Sequence, residues 1–468
     1  MQEIPETDGS VLSALKNGSM MVTLSAVICG WGCLIKKQFV KGILYLAAEL
    51  AIIYYMITSG VHHLSKLITL GDQEQQKIWN EAKSLYEYID GDRSLIILLY
   101  GIVTVAILLC GFLLIRLSIK SAYKAEVLHK AGRKIPSFWE EITELFDSRL
   151  HNSLLALPLL GVLTFTILPL VFMTSMAFTN YSVLDNKLVL FDWVGLANFK
   201  RLIDLNNSLG QTFWSVLGWT LTWALIATFS NYILGMLLAL FINWKEIRYK
   251  AFWRFCFVLT VAVPHFVTLL IIRQMLQPTG AVNVLLQNMG WITAPLPFFT
   301  DVTWSRVTVI LIGIWVSVPY VLLQITGILQ NIPQELYESA RVDGAGPIVT
   351  FFKITLPYML FVTTPYLITS FTGNINSFNT IFLTSRGLPR AGESTAGGTD
   401  LLITWLYKLT IDNQFFDIGA VIGIMTFLTL SVVSLLTFRY SGSYKNEEGF
   451  RRAIMQLEIR RNLWAIEL

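Results

Sequence analysis

Long apolar stretches bounded by polar or charged residues dominate the hydrophobic pattern of this chain. A helix needs about 20 consecutive, mostly apolar residues to cross the hydrocarbon core of a bilayer. The stretches that meet this requirement are 39–59, 94–117, 153–178, 212–243, 251–276, 304–329, 356–382 and 415–440. The pattern therefore predicts an all-α polytopic membrane protein with about eight transmembrane helices.

A further apolar stretch, 18–35, is shorter and contains Gly30 and Gly32. We predict an interfacial or re-entrant segment here, with a spanning helix as the alternative. The first residues of the chain are acidic and lack a basic region, so no cleavable signal peptide is expected. Anchoring is therefore expected from the spans themselves.

Composition agrees with this pattern, since 54% of the residues are hydrophobic and only 14% are charged. So much apolar surface exceeds what a water-soluble core can bury. The four cysteines lie in apolar stretches without the His or acidic neighbours that a metal site needs, so no metal site is expected. The net charge of +4, without a nucleic-acid-binding motif, gives no reason to expect nucleic acid as a partner.

Lys and Arg are concentrated on one side of the predicted spans. The richer set of connections consists of 36–41, 118–152, 244–250, 331–355 and the tail 439–468. It holds about twice as many basic residues as the opposite set, and basic loops stay in the cytoplasm. If the stretch 18–35 does not span the membrane, both termini are therefore predicted to be cytoplasmic. On the opposite side, the charged segment 60–93 is predicted to be a solvated external helix or loop.

A helix-turn-helix pattern occupies the connection between the sixth and seventh spans. Asn331 is placed to cap a first helix, with Pro333 at an early helical position and Gln334 three residues after the cap, as in a capping box. Gly344 suits the left-handed conformation that ends a helix, and Pro347 suits the start of the next. These features predict a short cytoplasmic helix parallel to the membrane.

The same connection, 331–357, resembles the EAA loop of ABC importer permeases. Glu338-Ser-Ala is followed after three residues by Gly344, and after nine more by Ile354-Thr-Leu-Pro357. Ser339 stands where that family usually has its first alanine. The resemblance implies a type I ABC importer transmembrane domain whose coupling helix docks in a cleft of an ATPase subunit. The residues that it assigns to coupling are Glu338, Ser339, Ala340, Asp343, Gly344 and Ala345.

The chain has no G-x-x-x-x-G-K-[ST] loop to hold nucleotide phosphates. We therefore expect a transport subunit rather than an enzyme, with no cofactor of its own, and with ATP and Mg²⁺ bound by partner ATPase subunits. The resemblance implies a heterodimer with a second permease subunit, two ATPase subunits and an extracellular solute-binding protein at the bacterial cell membrane. A secondary transporter is the alternative of another class, but it would not explain the cytoplasmic motif.

Further stretches between residues 153 and 440 resemble the maltose and maltodextrin permeases of the carbohydrate branch. They are 178–181, 219–224, 262–264, 318–320, 343–347, 351–357 and 396–402. The last, an external amphipathic segment, bears most on the class of substrate. The resemblance implies an oligosaccharide of the maltodextrin type, with a different oligosaccharide or sugar derivative as the alternative.

In those permeases the sugar lies near mid-membrane, against the fifth, sixth and seventh spans. The matching positions here are Val261, His265, Gly313, Val316, Ser317, Tyr320, Ser370, Gly373, Asn374 and Ser377. Several polar residues of this set also recur at helical spacing, an observation that does not depend on the resemblance. Polar side chains within the hydrocarbon normally face a cavity or the bundle interior. Hydrogen bonding between packed helices is the alternative for them, and the preferred interpretation of Gln324. For His265 the alternative is a bond to a backbone carbonyl freed by Pro264.

Three of these positions depart from the family pattern. Gly313, Gly373 and His265 stand where the maltose permeases have Asn, a bulky aromatic residue and Ser. These replacements predict a reshaped cavity and a preferred cargo other than plain maltose. Glu49, in the first span, is expected to have a structural hydrogen-bonding role, with a functional role as the alternative.

The predicted organisation has four parts. Residues 1–93 hold the interfacial segment, the first span and an external loop, and residues 94–152 hold the second span and a basic cytoplasmic loop. A six-helix permease core follows at 153–440. Residues 441–468 are predicted to form a cytoplasmic amphipathic tail at the membrane interface, with contact to the ATPase as the alternative.

Overall fold

The computed structural model describes residues 11–80, 85–89, 91–148, 150–244, 246–390, 392 and 394–440. The chain forms two compact units, Met1–Leu196 and Ala197–Leu468. The predicted tail 441–468 lies outside the described residues. The organisation into four parts therefore stays a prediction.

The described residues of the first unit form helices and one β-hairpin. The helices are α1 (Val11–Asn17), α2 (Met20–Leu24), α3 (Trp31–Ile35), α4 (Phe39–Tyr55), α5 (Val61–Thr69), α6 (Ser94–Lys130), α7 (Phe138–Phe146), α8 (Leu150–Val162) and α9 (Leu168–Met176). The strands are β1 (Gln76–Asn80) and β2 (Leu85–Ile89). Short π-helical segments, Met56–Gly60 and Leu163–Ile167, connect α4 to α5 and α8 to α9.

The described residues of the second unit are helices and loops. The helices are α10 (Ala197–Ile203), α11 (Ser208–Asn243), α12 (Lys250–Ala262), α13 (His265–Met275), α14 (Ala281–Asn288), α15 (Val302–Gln330), α16 (Gln334–Val342), α17 (Pro347–Thr350), α18 (Leu356–Ile375), α19 (Phe378–Thr384), α20 (Leu402–Tyr407) and α21 (Phe416–Tyr440). Here too π-helical segments occur, with Phe351–Thr355 between α17 and α18 and Lys408–Asp412 after α20.

Within the described part of the chain, 7 helices are long and apolar enough to cross a membrane. They are Phe39–Thr69, Ser94–Lys130, Ser153–Met176, Ser208–Asn243, Val302–Gln330, Pro347–Ile375 and Phe416–Arg439. The bent pair α12 and α13 provides an eighth candidate in the place of the predicted stretch 251–276. Each of the other predicted stretches overlaps one of the seven, and the polytopic membrane fold is confirmed as mostly helical, with one β-hairpin.

The fifth predicted span is broken near its middle. α12 ends at Ala262 and α13 starts at His265, with an angle of 85° between the two helices. Val263 between them is extended, with φ −75° and ψ 129°, because the ring of Pro264 disfavours helical backbone in the preceding residue. Pro264 also lacks the N–H that a continuous helix requires. The hydrophobic pattern does not show this break.

The apolar stretch 18–35 contains short helices instead of one continuous helix. The longest helix between residues 11 and 35 has 7 residues, about 10 Å of length, which is too short to cross a membrane. The carboxylate of Glu49 accepts a hydrogen bond from the backbone N–H of Cys29 at 2.7 Å. Ser118 accepts one from the backbone N–H of Gly30 at 2.8 Å. Glu49 thus fixes the turn between α2 and α3, a contact of the structural kind expected for it.

A β-hairpin lies in the segment 60–93, where the sequence predicts a helix or loop. β1 pairs antiparallel with β2, from Gln76 opposite Ile89 to Asn80 opposite Leu85. Aromatic and β-branched residues favour both strands, but five-residue strands give too short an alternation to predict them. Beside the hairpin, Lys66 donates a hydrogen bond to the Asp92 carboxylate and lowers its pKa below the usual range.

Two apolar clusters form the core of the second unit, one after the other along α11. The Trp223 cluster contains Trp219, Trp223, Ala227, Leu269, Ile272, Phe299, Val309, Ile312, Ile381 and Leu401. The Tyr232 cluster contains Tyr232, Met236, Ala239, Ile242, Val321, Leu322, Ile325, Ile332 and Met359. Since α11 contributes to both clusters, it is the central helix on which α15 and α18 pack.

A buried ion pair holds the segment that precedes α20. Asp400 and Lys408 are almost completely buried, and Lys408 Nζ lies 2.6 Å from Asp400 Oδ2. The other carboxylate oxygen accepts a hydrogen bond from Thr404 at 2.9 Å, and Lys408 also donates to the carbonyl of Arg386 at 2.8 Å. Because both charges are paired and hydrogen-bonded, their burial is tolerated.

Candidate functional site

A large cavity lies between the helices of the second unit. Its volume is about 1250 Å³, more than the roughly 300–1,000 Å³ of pockets that hold drug-sized ligands. Its walls come from α11, α12, α13, α15 and α18. It is large enough for a ligand of several rings.

Most of the predicted sugar-site residues line this cavity. They are Val261, His265, Val316, Ser317, Tyr320, Ser370 and Asn374. The helix break brings the first two there, since Val261 lies just before the break and His265 begins α13. Tyr320 follows Pro319 within α15, and its side chain is 54% exposed. Residues from three predicted spans therefore line the same cavity.

The other predicted sugar-site residues, Gly313, Gly373 and Ser377, do not line it. Gly313 is buried, and a Cβ atom at this position would lie 2.7 Å from Trp223 Cη2, so this glycine permits close packing of α15 on α11. Gly373 is exposed, with nothing within 4 Å of a Cβ position. Ser377 donates a hydrogen bond to the hydroxyl of Thr380 at 3.0 Å.

Asn374 is held in place by two residues of α11. Its side-chain Nδ2 donates to Thr228 Oγ1 at 2.9 Å, and its backbone carbonyl accepts from the indole N–H of Trp223 at 3.1 Å. Asn374 therefore fits both interpretations, a sugar-site position and an interhelical hydrogen bond, because it joins α18 to α11 and also lines the cavity. The two hydrogen bonds orient its amide relative to the open space.

Sequence reasoning missed the part of the wall that α11 supplies. Leu234, Leu237, Phe241 and the polar Asn231 all line the cavity. Asn231 carries a signal that was available in the sequence, since an amide within the long apolar stretch 212–243 is a candidate for a functional residue. Thr260, Thr268 and Tyr366 on neighbouring helices are further polar lining residues.

Among the described residues that line the cavity, none is Asp, Glu, Lys or Arg, and one is a histidine, His265. Most of the lining is apolar, and aromatic rings and amide, hydroxyl and imidazole groups interrupt it, which offer both donors and acceptors. Such a wall suits a neutral ligand that has apolar faces and many hydroxyl groups, whereas an ionic ligand would find no charged partner.

A short surface helix, α16, forms the predicted coupling segment. The sequence-based assignment of its start is wrong, because Asn331 ends α15 and Pro333 directly precedes the first helical residue, Gln334. Pro333 has φ −56° and ψ 127°, and no side-chain cap is present. Instead of a capping box, Gln334 Nε2 donates to Glu338 Oε1 at 3.0 Å.

The end of α16 follows the prediction. Gly344 has a left-handed backbone conformation, with φ +75°. Its N–H donates to the carbonyl of Arg341 at 3.0 Å, and the N–H of Ala345 donates to the carbonyl of Ala340 at 2.8 Å. This pair of bonds is the Schellman motif, which closes a helix. Pro347 then starts α17 as predicted.

Some of the predicted coupling residues are packed against the protein, and the others are exposed at its surface. Ala340 is buried and Ala345 half-buried, whereas Glu338, Ser339, Asp343 and Gly344 are exposed. On the inner side, the hydroxyls of Tyr337 and Thr355 are 3.1 Å apart and hydrogen-bonded, which ties α16 to the helix that follows. The exposed side thus belongs to a helix that is closed at its C-terminal end and hydrogen-bonded through Tyr337 to the chain that follows.

Comparisons with known proteins agree with this architecture. Residues 231–443 match the family described as binding-protein-dependent transport system inner membrane component. The galactooligosaccharides transport system permease protein GanP of Bacillus subtilis is 33% identical over 430 residues, which cover 91% of this chain and 98% of that protein. The maltodextrin transport system permease protein MdxF of the same species is 33% identical over 437 residues, covering 91% and 96%.

The fold also matches a solved structure, the crystal structure of a bacterial alginate ABC transporter in complex with alginate pentasaccharide-bound periplasmic protein. The TM-score is 0.52 with 23% sequence identity, over 64% of this chain and 95% of that chain. At this level of identity the likeness shows the fold alone.

The spans define a multi-pass membrane protein with a large cavity between its helices. With relatives at this identity over most of its length, the chain belongs to the family of binding-protein-dependent transport system inner membrane components. It is a transport subunit of an ABC importer and not an enzyme, since ATP hydrolysis in such importers is carried out by separate ATPase subunits.

Proposed function

We propose that this chain forms part of the path by which an ABC importer carries a neutral oligosaccharide of the maltodextrin type across the membrane. The observation that carries the proposal is the lining of the cavity of about 1250 Å³, whose described residues combine a mostly apolar wall with aromatic, hydroxyl and amide groups and include no Asp, Glu, Lys or Arg. The names of the relatives support the class of cargo, since GanP is a galactooligosaccharides permease and MdxF a maltodextrin permease. Galactooligosaccharide is the second candidate cargo, because GanP and MdxF are equally identical to this chain, at 33%.

The proposed sugar contacts divide by chemistry. The exposed ring of Tyr320 suits the apolar face of a pyranose, while the hydroxyls of Ser317 and Ser370 suit sugar hydroxyls. Asn374, fixed by Thr228, positions an amide at the wall, and His265 adds an imidazole at the start of α13. Val261 and Val316 supply apolar wall. Gly313 has a packing role instead of a sugar contact. Gly373 and Ser377 do not line this cavity, so the lining does not support a sugar contact for either residue.

The proposed coupling site is the exposed side of α16. A helix whose end is closed by a Schellman motif and whose inner side is hydrogen-bonded through Tyr337 moves as a rigid body with the adjoining spans. A partner ATPase that grips this helix would transmit its closing motion to the cavity walls. Glu338, Ser339 and Asp343 are the side chains presented to that partner, and Glu338 suits a basic residue there.

The proposed assembly is a heterodimer with a second permease subunit, two ATPase subunits that bind ATP and Mg²⁺, and an extracellular solute-binding protein. The family description names binding-protein dependence, and the similar alginate transporter was solved with a periplasmic protein. The family description of an inner membrane component supports a location in the bacterial cell membrane, and the distribution of Lys and Arg supports both termini in the cytoplasm.

The test is to purify the chain with its partners and measure which sugars stimulate ATP hydrolysis in proteoliposomes. We expect stimulation by neutral maltotriose or longer maltodextrins in the presence of the binding protein, with galactotriose as the comparison. An oligosaccharide of uronic acids should give no stimulation, because the cavity offers it no cationic side chain. A response to the acidic sugar alone would reject the proposed cargo.

A further inference from the structure

The helix α7 has an apolar side that the described part of the chain covers only in part. Its apolar residues recur at the spacing of one helical face. They are Phe138, Trp139, Ile142, Leu145 and Phe146. Phe138 and Ile142 are half-buried, whereas Trp139 is 72% and Phe146 70% exposed. Large aromatic rings exposed together on one face indicate an interaction surface.

The opposite side of α7 is acidic and begins with a well-formed cap. The N–H of Ser137 donates to the carboxylate of Glu140 at 2.8 Å, and the N–H of Glu140 donates to the Ser137 hydroxyl at 3.3 Å. This capping box fixes the start of the helix. Glu140 and Glu144 lie away from the apolar side. A helix divided in this way, apolar on one side and charged on the other, has the pattern of helices that lie in the plane of a membrane interface.

Two contacts place α7 at the level where spans enter the membrane. Lys41 Nζ lies 2.7 Å from Glu141 Oε2, and Lys41 belongs to the first turn of the span Phe39–Thr69. The hydroxyl of Ser153 donates to the carbonyl of Leu145 at 2.6 Å, and Ser153 is the first residue of the span Ser153–Met176. Both spans start on the side that the basic residues predict to be cytoplasmic. The two contacts therefore hold α7 at that membrane boundary.

The apolar surface of the first span continues onto α7. A cleft of about 330 Å³ lies between α7 and the spans. It is lined by Lys41, Leu44, Tyr45, Leu114, Phe138, Glu141, Ile142 and Leu145. Leu44 on α4 and Leu145 on α7 are also partly open, with exposed fractions of 54% and 39%. Since the inner flank of the apolar side lines the cleft, the flank with Trp139 and Phe146 extends the lipid-facing surface of α4 outward.

We propose that α7 is a membrane-interface helix whose Trp139 and Phe146 insert among the phospholipids of the leaflet that α4 enters. The inference goes beyond the proposed function, because it concerns the first unit and the lipid instead of the cargo. Trp is favoured at this depth, where its ring is in an apolar layer and its N–H meets polar headgroups. The acidic side then faces water, away from anionic headgroups.

The experiment maps the surroundings of α7 with a fluorophore attached to single cysteines in the assembled transporter. Cys110 and Cys256 are first replaced by serine, while Cys29 and Cys33 are buried and remain. Trp139→Cys and Phe146→Cys carry the fluorophore on the apolar side, and Glu140→Cys carries it on the acidic side as the matched control. The labelled assemblies are reconstituted in liposomes, with and without the ATPase subunits. One quencher is nitroxide-labelled phosphatidylcholine, and the other is iodide on both sides of the membrane.

We expect the lipid nitroxide to quench the fluorophore at positions 139 and 146 more than iodide does, and the reverse order at position 140. The ATPase subunits should not change this order. Each apolar position tests the inference alone, so a failure of one variant to assemble leaves the other. Iodide quenching at 139 and 146 as strong as at 140 would overturn the inference. Shielding of both positions from both quenchers would also overturn it, in favour of a protein contact, and shielding only with the ATPase present would identify that partner. None of these readouts depends on the transported sugar.

Discussion

At Gly313, α15 passes so close to Trp223 of α11 that no side chain fits between them. We expect Gly313→Ala to destabilise the protein by about 1–3 kcal/mol, as overpacking of a tight core does. The measurement is the melting temperature of the purified protein in detergent. Gly373→Ala is the control, because nothing lies within 4 Å of its Cβ position. A melting temperature for Gly313→Ala as high as that of Gly373→Ala would contradict the packing role.

At Asp92, folding changes the carboxyl pKa. Lys66 donates to this carboxylate and lowers its pKa from the ordinary value of 3.8. A carboxyl whose pKa is lowered by folding stabilises the fold above its unfolded pKa, and that contribution disappears as the pH falls through the folded pKa. We expect Asp92→Asn to melt at a lower temperature than the wild type at pH 7, with the difference closing as the pH falls below 3.8. A difference that stays constant as the pH falls well below 3.8 would refute this assignment.

Single residues also show how far the sequence predicts the site. The cavity positions on α15 and α18 could be predicted, because polar residues at helical spacing in an apolar span mark an inward face, as with Ser317 and Tyr320. Gly313 lies on the same face by spacing, yet it packs on Trp223, which no intrahelical pattern reveals. Asn231 was visible as a polar residue, but its wall position depends on how α11 packs.

Among the elements, the spans follow from length and apolarity, since those two properties decide whether a helix crosses a bilayer. The break between α12 and α13 has a local cause at Pro264, but its 85° angle depends on packing around the cavity. The end of α16 could be predicted from Gly344. Its start could not, because Asn331 is the C-cap residue of α15.

The segment before α20 depends on the buried pair Asp400 and Lys408. Lys408→Met leaves the Asp400 charge buried without its partner, and we expect a loss of about 3–5 kcal/mol of stability. The double variant Asp400→Asn with Lys408→Met removes both charges and should recover part of that loss. Thermal unfolding monitored by size-exclusion chromatography measures both variants. A Lys408→Met protein as stable as the wild type would contradict this account of the segment.

The surface helix α16 gives a prediction about coupling. Glu338→Lys reverses an exposed charge and should abolish ATP-driven uptake while the protein remains in the membrane, because the contact with the ATPase is lost. Glu335→Lys makes the same change of charge on the same helix, outside the motif, and should cost less uptake. Uptake assays on vesicles with matched amounts of protein compare the two. Undiminished uptake by Glu338→Lys would reject the coupling role.

At the scale of the whole molecule, the evidence for function lies in the second compact unit. The family match at residues 231–443 lies in the second unit, which also contains the cavity and α16. In ABC importers ATP hydrolysis is carried out by separate ATPase subunits. We therefore expect that ATP hydrolysis by a partner is required to move the sugar.

Radiolabelled oligosaccharide uptake into proteoliposomes tests this claim most directly. One preparation contains the full assembly with binding protein and ATP, and the other contains this chain with its partner permease but without the ATPase subunits. The account predicts accumulation against a gradient in the first and none in the second. Equal accumulation in the preparation without the ATPase subunits would contradict it.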